Sequence, residues 1–275
     1  MRLDAYLAQT WPETSRSTWQ KRVKAGQVLV NGEVELSTKR ELGEEDKVTI
    51  ELPAVVTHDE KTLPIIYKDD NVIVINKPVG VLTHSKGALN DEFTVADFFR
   101  RYTTNNLDSN RPGIVHRLDR DTSGVLIGAL NDETASLLGK QFSERKANKT
   151  YMAVVDGEPK MPEAVIDLPI GRNPKAPSTF RVDPNGKSAQ TTYKVLASNG
   201  KYSLVELRPK TGRTHQLRVH MSHIGHSIHG DKVYGKPADR LYLHAAKLDI
   251  TIAKGTRMLF AADVPPEFSK MEFAK

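Results

Sequence analysis

Apolar residues at positions 3, 6 and 7 of RLDAYLAQ fall at helical spacing and predict a short amphipathic helix. A second helix is predicted over SRSTWQKRVKAG, with Ser15 or Ser17 as its cap. Ser17 and Gln20 stand at capping-box spacing, and Gly26 is placed to end the helix. In VLVNGEV, Asn31-Gly32 between β-formers predicts a type I′ hairpin. KVTIEL supplies another short strand, and Pro53 closes a unit of about fifty residues. The stretch 53–64 is polar and Pro-bounded and reads as a linker. Beyond it, IIYKDDNVIVINKP predicts two strands around the turn KDDN. Strand-like runs recur at 125–130, 151–155, 191–197, 203–208 and 248–252, and helical patterns at 93–101, 132–144 and 214–224. No regular βα alternation links them. The expectation is an α+β domain over residues 65–275, built on a mixed, largely antiparallel sheet, beside a small α/β unit over residues 1–52.

Composition narrows the partners. The formal charge is +6, and residues 1–57 carry 8 Lys+Arg against 9 Asp+Glu, so the positive excess lies in the rest of the chain. Such a field favours a polyanion, most simply nucleic acid. Within the small unit, the second predicted helix carries Arg16, Lys21, Arg22 and Lys24 and no acid, while Glu33, Glu35, Glu41, Glu44 and Glu45 lie elsewhere. Segregated charge of this kind suits a phosphate-gripping face. No apolar run approaches the ~20 residues that cross a bilayer. The N-terminus MRLDAYLAQTWPE lacks the apolar core of a signal peptide. There is no cysteine, so disulfides and thiolate metal sites are excluded. A cytoplasmic protein without a membrane partner is expected.

Three stretches carry candidate chemistry. In GIVHRLDRDTSGVLIGA, Asp119 stands between Arg117 and Arg120, with Asp121 close behind, just before a buried-looking run. Arginine neighbours favour the ionised form of a carboxylate, which suits a nucleophile and opposes a general acid. A structural ion pair and a two-carboxylate hydrolytic site with Asp121 are the rival readings; a retaining pair needs carboxyl groups ~5–5.5 Å apart with one kept protonated. In the second stretch, residues 206–235, a predicted helix THQLRVHMSHIG sets Leu217, Met221 and Ile224 on one side and holds Arg218. Five of the nine histidines fall between 215 and 229. Helical geometry brings His220 and His223 together but leaves His215 apart, so histidines donating to phosphate or backbone are expected and no metal site is. In the third stretch, Tyr151 starts a strand after a basic cluster and could stack on a base. NKPVGVLTH lacks the pattern of a nucleotide-binding loop.

These motifs resemble two known families. RLDAYLA, SRS, QKRVKAGQVLVNG and LGEEDKV resemble an S-four-type RNA-binding domain over residues 1–52. NKPVG, RPGIVHRLDRDTSG, NKTYMAVVDG, PIGR, GKSAQTTY, GRTHQLRVH, GHSIHGDKVYG and YLHAAKL resemble, in order, the RluA-type pseudouridine synthases. The resemblance implies an enzyme that detaches uracil from its ribose, rotates it and rejoins it through carbon, with no cofactor. It implies that Asp119 is the catalytic carboxylate, that Tyr151 stacks on the target base, and that Arg218 pairs with Asp119. Leu217 would pack beside the base, and Arg117 would fill the gap left when the uridine flips out. His116, Arg213 and His215 are expected at the RNA-contacting surface. Lys146, Lys149, Arg172, Lys175 and Lys210 would touch phosphates, and Arg16, Lys21, Arg22 and Lys24 would form a second grip.

The expected partner is ribosomal RNA of the large subunit, with transfer RNA as the alternative target, and the chain is expected to act as a monomer. Two other classes compete: a non-catalytic RNA-binding or ribosome-assembly factor, and a hydrolase using Asp119 with Asp121. Ser85 and Ser227 stand where the family often has proline.

Overall fold

A buried carboxylate organises the first fifty residues. The structure is a computed structural model that describes residues 1–51, 58–85 and 92–273. One compact unit is built from the N-terminal residues, and a larger one from residues 59–84 and 93–273. In the small unit, helix α1 (Leu3–Thr10) and helix α2 (Arg16–Lys24) pack on strands β1 (Val28–Val30), β2 (Glu33–Val34) and β3 (Val48–Ile50). Leu3, Leu7, Trp19, Val23, Val28 and Val30 form the core. Asn31 and Gly32 both take positive φ, 56° and 84°, and Val30 pairs with Glu33 across the turn, so the type I′ hairpin forms as expected.

The cap of α2 differs from the Ser17–Gln20 expectation. Ser15 Oγ accepts the Thr18 N–H at 3.3 Å, and Gln20 turns inward to donate to Asp4 Oδ2 at 2.6 Å. Asp4 is fully buried and also receives Arg2 Nη2 at 3.0 Å and Arg16 Nη2 at 2.9 Å. Burial alone would raise its pKa, but the donors Arg16, Gln20 and Arg2 overcome that and bring it down to about 2. So the acid that balances Arg16 lies on the preceding helix. Arg22 packs its guanidinium 4.8 Å from the Trp19 ring. Of the four cations of α2, Lys21 and Lys24 are the ones left fully to solvent.

In the larger unit the elements run β4 (Ile65–Lys68), β5 (Val72–Lys77), α3 (Val95–Arg100), β6 (Ser123–Ala129), α4 (Asp132–Ser143), β7 (Asn148–Asp156), β8 (Glu163–Asp167), β9 (Ile170–Arg172), β10 (Phe180–Val182), β11 (Gln190–Ser198), β12 (Tyr202–Pro209), α5 (Gln216–His223), β13 (Leu243–Ala253) and β14 (Thr256–Ala261), then a 3-10 helix over Pro266–Met271. Among the described residues nine strands form one sheet, in the order β4-β5-β6-β13-β7-β12-β11-β8, with β14 on β13; β9 and β10 form a separate ribbon. The pairing is antiparallel throughout except between β6 and β13.

Period-two alternation sorts the sheet's two faces. Ile73, Ile75 and Leu126 pack against Phe98 and Phe99 of α3; Val72, Val74, Val125 and Ile127 pack with Leu138 of α4. The two helices therefore cover opposite faces, and β6 is buried along its whole length. Ala153, Val155, Val205 and Leu207 pack against Leu217 and Met221 of α5. At the parallel pair the backbones come very close: a Cβ on Gly124, whose φ is +113°, would lie 2.2 Å from the Ala245 carbonyl oxygen.

The long apolar runs became the expected strands and helices. The pattern missed β8, β9, β10 and β14, short strands whose exposed positions dilute the apolar signal. Leu63, within the stretch 53–64, is buried in the α3 core; Pro53 lies outside the described residues.

Trp11 and Trp19, the two tryptophans of the chain, both lie in the small unit, so their fluorescence reports its unfolding. Because the Asp4 pKa is depressed on folding, its contribution is present above the ordinary carboxylate value of ~3.9 and is lost as pH falls toward 2. Asp4→Ala should lower fluorescence-detected stability by about 3 kcal/mol at pH 7 and flatten its decline below pH 4. An unchanged urea midpoint at pH 7 would contradict this account of the unit.

Candidate active site

The loop that carries Asp119 enters β6 and is gripped by the chain leaving β5. Lys77, the last residue of β5, is fully buried, and its ammonium donates to the carbonyls of Pro78 at 2.9 Å, Val81 at 2.8 Å and Arg120 at 3.0 Å. Burial pushes its pKa down to about 7, against the opposing pull of Asp119 and Asp121. The Gly80 N–H also donates to the Arg120 carbonyl, and the buried Thr83 hydroxyl bonds both the N–H and the C=O of Leu118. Residues on both sides of Asp119 are thus pinned through their backbone. The following turn is closed by the Thr122 N–H on the Asp119 carbonyl at 3.1 Å. Asp121, the partner of Asp119 in the two-carboxylate reading, makes no side-chain hydrogen bond among the described residues.

Helix α5 brings the counter-charge. Arg218 is buried, with Nε 2.7 Å from Asp231 Oδ2 and Nη2 2.8 Å from Asp231 Oδ1, a two-pronged pair. Its remaining nitrogen, Nη1, stands 3.5 Å from Asp119 Oδ2. Asp231, 0% exposed at its side chain, also accepts the backbone N–H groups of Val233 and Tyr234. Burial would raise the Asp231 pKa, but Arg218 and those two N–H groups hold it below the usual carboxylate range. The expected Arg218–Asp119 pair therefore exists, as the weaker of two.

A third group closes the ring. His215 takes a left-handed backbone, φ 56°, at the start of α5, and its Nε2 lies 3.9 Å from Asp119 Oδ2. Its Nδ1 is 2.8 Å from the Tyr234 hydroxyl, which accepts the Phe180 N–H. Burial lowers the His215 pKa despite the nearby Asp119, so the ring is neutral at neutral pH. If Tyr234 gives its proton to Nδ1, the ring proton sits on Nε2, on the side of Asp119.

Asp119, half-buried, differs from the two buried acids of the described residues. Asp4 and Asp231 have their oxygens filled by donors; the Asp119 carboxylate is 19% exposed and accepts no hydrogen bond among the described residues. It faces a cleft of about 440 Å³ also lined by Arg117, Tyr151, Leu217 and Arg218. Tyr151 shares a sheet face with Ala153 and Val155 and packs between two cores; burial first, then the charge of Asp119, push its hydroxyl pKa well up, so it keeps its proton. Arg117 is exposed, with no hydrogen bond from its guanidinium among the described residues.

His116, Arg213 and His215 line the same cleft, but His116 does not reach outward. Its Nε2 accepts the Ile127 N–H at 3.0 Å and its ring stacks on Phe142 at 4.5 Å. Burial, with Lys149 nearby, lowers its pKa to about 3, so it forms a neutral wall. Arg213 Nε donates to the Ser188 carbonyl, and Lys149 lines the cleft with its pKa lowered by burial to about 8. Lys146 pairs with Glu144 at 2.7 Å, and Arg172 donates to the Pro177 carbonyl. Arg16, Lys21, Arg22 and Lys24 belong to the small unit.

The histidines of 215–229 go mostly to protein partners. His220 bonds Thr191 and the Leu168 carbonyl, His226 the Asp156 carbonyl and His229 the Asp156 carboxylate. Among the described residues no group of His, Asp or Glu is placed to hold a metal ion.

Sequence reasoning missed Lys77, Asp231 and Gln216. The buried Gln216 amide accepts from Thr211 Oγ1 and the Arg213 N–H and donates to the Gln190 carbonyl and Thr191, fastening the loop before α5. A lysine directly before Pro-Val-Gly and a lone acid after His-Gly were the available signals. Neither announces burial.

Comparison with known proteins places this arrangement among relatives. Residues 71–223 match the family model described as RNA pseudouridylate synthase, and residues 1–48 the one described as S4 domain. The chain is 37% identical to "Ribosomal large subunit pseudouridine synthase D" of Borreliella burgdorferi (strain ATCC 35210 / DSM 4680 / CIP 102532 / B31), over 98% of this chain and 87% of that protein. It is 36% identical to the protein of the same name in Escherichia coli (strain K12), over 85% and 72% respectively. Among solved structures, "Human RNA Pseudouridylate Synthase Domain Containing 1" superposes with a TM-score of 0.63 and 28% identity, covering 81% of this chain and 91% of that one.

Replacing Lys77 by Met would leave three carbonyl acceptors without their cation. Lys77→Met should cost about 3 kcal/mol in urea-induced unfolding followed by far-UV circular dichroism, since each buried acceptor left unmade costs ~1–3 kcal/mol. A loss under about 1 kcal/mol would show that the lysine does not hold the Asp119 loop.

Proposed function

Because this chain belongs to the RNA pseudouridylate synthase family, we propose that Asp119 is the carboxylate on which its uridine-to-pseudouridine isomerisation depends, and that its substrate is large-subunit ribosomal RNA. The enzyme is an isomerase acting on RNA. The observation that carries the assignment of Asp119 is its carboxylate, which faces the cleft with its oxygens free of hydrogen bonds among the described residues while a buried arginine stands 3.5 Å away. The relatives named for the large ribosomal subunit support the substrate, and a cytoplasmic setting fits it.

Isomerisation breaks the bond between the uracil nitrogen and the ribose, turns the base and joins it again through carbon. The target must first leave the RNA stack, at a cost of a few kcal/mol. Arg117, a planar cation at the cleft whose guanidinium makes no hydrogen bond among the described residues, suits the gap left in the helix. Tyr151 offers a ring face to the flipped base and, keeping its proton, does not act as a base at neutral pH. Leu217 supplies an apolar wall. Asp119, without competing donors among the described residues, faces the reacting sugar and base, and the buried Arg218 stands beside it at 3.5 Å. Lys149 and Arg213 meet phosphates at the rim, and Lys21 and Lys24 give the S4 domain its grip, with Arg16 and Arg22 partly committed to Asp4 and Trp19.

The test separates the two acids. Asp119→Asn should reduce pseudouridine formation in unmodified ribosomal RNA by at least 10³-fold with RNA binding retained, as expected for loss of the reacting group. Asp121→Asn, outside the cleft, should keep activity within a few-fold. Equal losses in both, or free uracil released by the wild type, would overturn the assignment.

A further inference from the structure

A second cleft, of about 450 Å³, opens beside the catalytic one and shares part of its wall. It runs across the neighbouring strands β12, β7 and β13. Arg145 and Lys149 line both clefts; Arg208, Lys210 and Lys247 line the second alone. The acid in its described wall, Asp249, is already engaged by Arg257 Nε at 2.8 Å and by the Asn148 amide at 2.9 Å. Arg208 is held by Glu206 at 2.6 Å. The side chains of Arg145, Lys210 and Lys247 are exposed and make no hydrogen bond or ion pair among the described residues. The cleft is therefore a positive trough whose counter-charge is spent.

Arg145 has a second peculiarity. It follows the end of α4 in the left-handed region, φ 61°, where the Lys146 N–H closes back on the Gln141 carbonyl at 2.9 Å. This is the position that glycine fills best after a helix, because a Cβ there is strained. Here it holds an arginine whose guanidinium has no partner among the described residues. Nothing in the packing of those residues accounts for that choice, whereas a ligand anion at the junction of the two clefts does.

We propose that this trough is the track along which the RNA backbone leaves the catalytic cleft, with Arg145 gripping a phosphate next to the flipped uridine. The inference rests on the isomerase reading above and adds the path of its substrate. Lys149 lies two residues before Tyr151 on the same strand face, so a base stacked on Tyr151 has its own phosphates near Lys149. Lys247, on the neighbouring strand β13, lines the trough together with Lys149. A protein partner would need apolar contacts, and Leu259 is the one large exposed apolar residue of the trough's described wall.

The test compares Arg145→Gly, Lys247→Ala and, as a control on the exposed face of β11, Lys194→Ala. Binding is measured on an unmodified transcript of large-subunit ribosomal RNA across a salt series, and pseudouridine formation on total RNA from cells lacking the gene. Arg145→Gly should raise the thermal midpoint by about 2 °C by relieving the backbone, yet raise Kd about fivefold and reduce the salt slope by about 1. Lys247→Ala should weaken binding about threefold with a shallower slope, and Lys194→Ala should behave as wild type. If both trough variants bind as wild type while the wild type forms pseudouridine, the track is overturned and the isomerase reading stands. If the wild type forms none, the isomerase reading falls and the track with it.

Discussion

Arg218 lies between two carboxylates and divides its charge unequally between them. Two of its nitrogens are locked on Asp231 at 2.7 and 2.8 Å, and one is left to face Asp119 at 3.5 Å. A buried guanidinium without a partner would cost several kcal/mol, so Asp231 is what allows Arg218 to be in the core at all. Once that pair has formed it is close to neutral, and Asp119 receives the field of one outward N–H edge rather than a full ion pair. The result is a carboxylate with a cation beside it and, among the described residues, no donor on its lone pairs. The same loop that supplies Asp231 supplies Tyr234, which bonds His215, so both groups near Asp119 are fixed from one segment.

The sheet gives this ring its rigidity. Asp119 precedes β6, the strand buried along its length, and Lys77 ties its loop to the exit of the adjacent β5. Tyr151 comes from β7 and Arg218 from α5, which packs on β7 and β12 through Leu217 and Met221. Neighbouring strands lie ~4.8 Å apart, so small backbone shifts at any of these positions would move the Asp119–Arg218 distance by a chemically significant amount. The tight parallel contact at Gly124 is part of the same constraint.

Much of this was legible from residue patterns, and what was not has a common cause. The long strands and the helices α3, α4 and α5 announced themselves through apolar spacing. Asp119, Tyr151 and Arg218 stood out through their motifs. Asp4, Lys77 and Asp231 did not, because the burial of a charge depends on partners that folding brings from elsewhere: Arg16 and Gln20 for Asp4, the Arg120 carbonyl for Lys77, Arg218 for Asp231. Local patterns carry no sign of that burial. The same limit applies to Arg16 and His116, which looked like ligands for RNA and which also bond the protein itself, Arg16 through one nitrogen to Asp4 and His116 through Nε2 to the Ile127 N–H.

The measurement that tests this account most directly is the single-turnover rate of Asp231→Asn with saturating RNA, in a variant shown to be folded. The neutral amide keeps the shape of the site but releases Arg218 from its counter-charge. If Asp231 sets the geometry of the Asp119–Arg218 pair, the rate of pseudouridine formation should fall about 10- to 100-fold while the Kd for RNA stays within twofold, as for other groups that orient a reacting residue. A rate equal to wild type, or a defect that appears only in Kd, would contradict it.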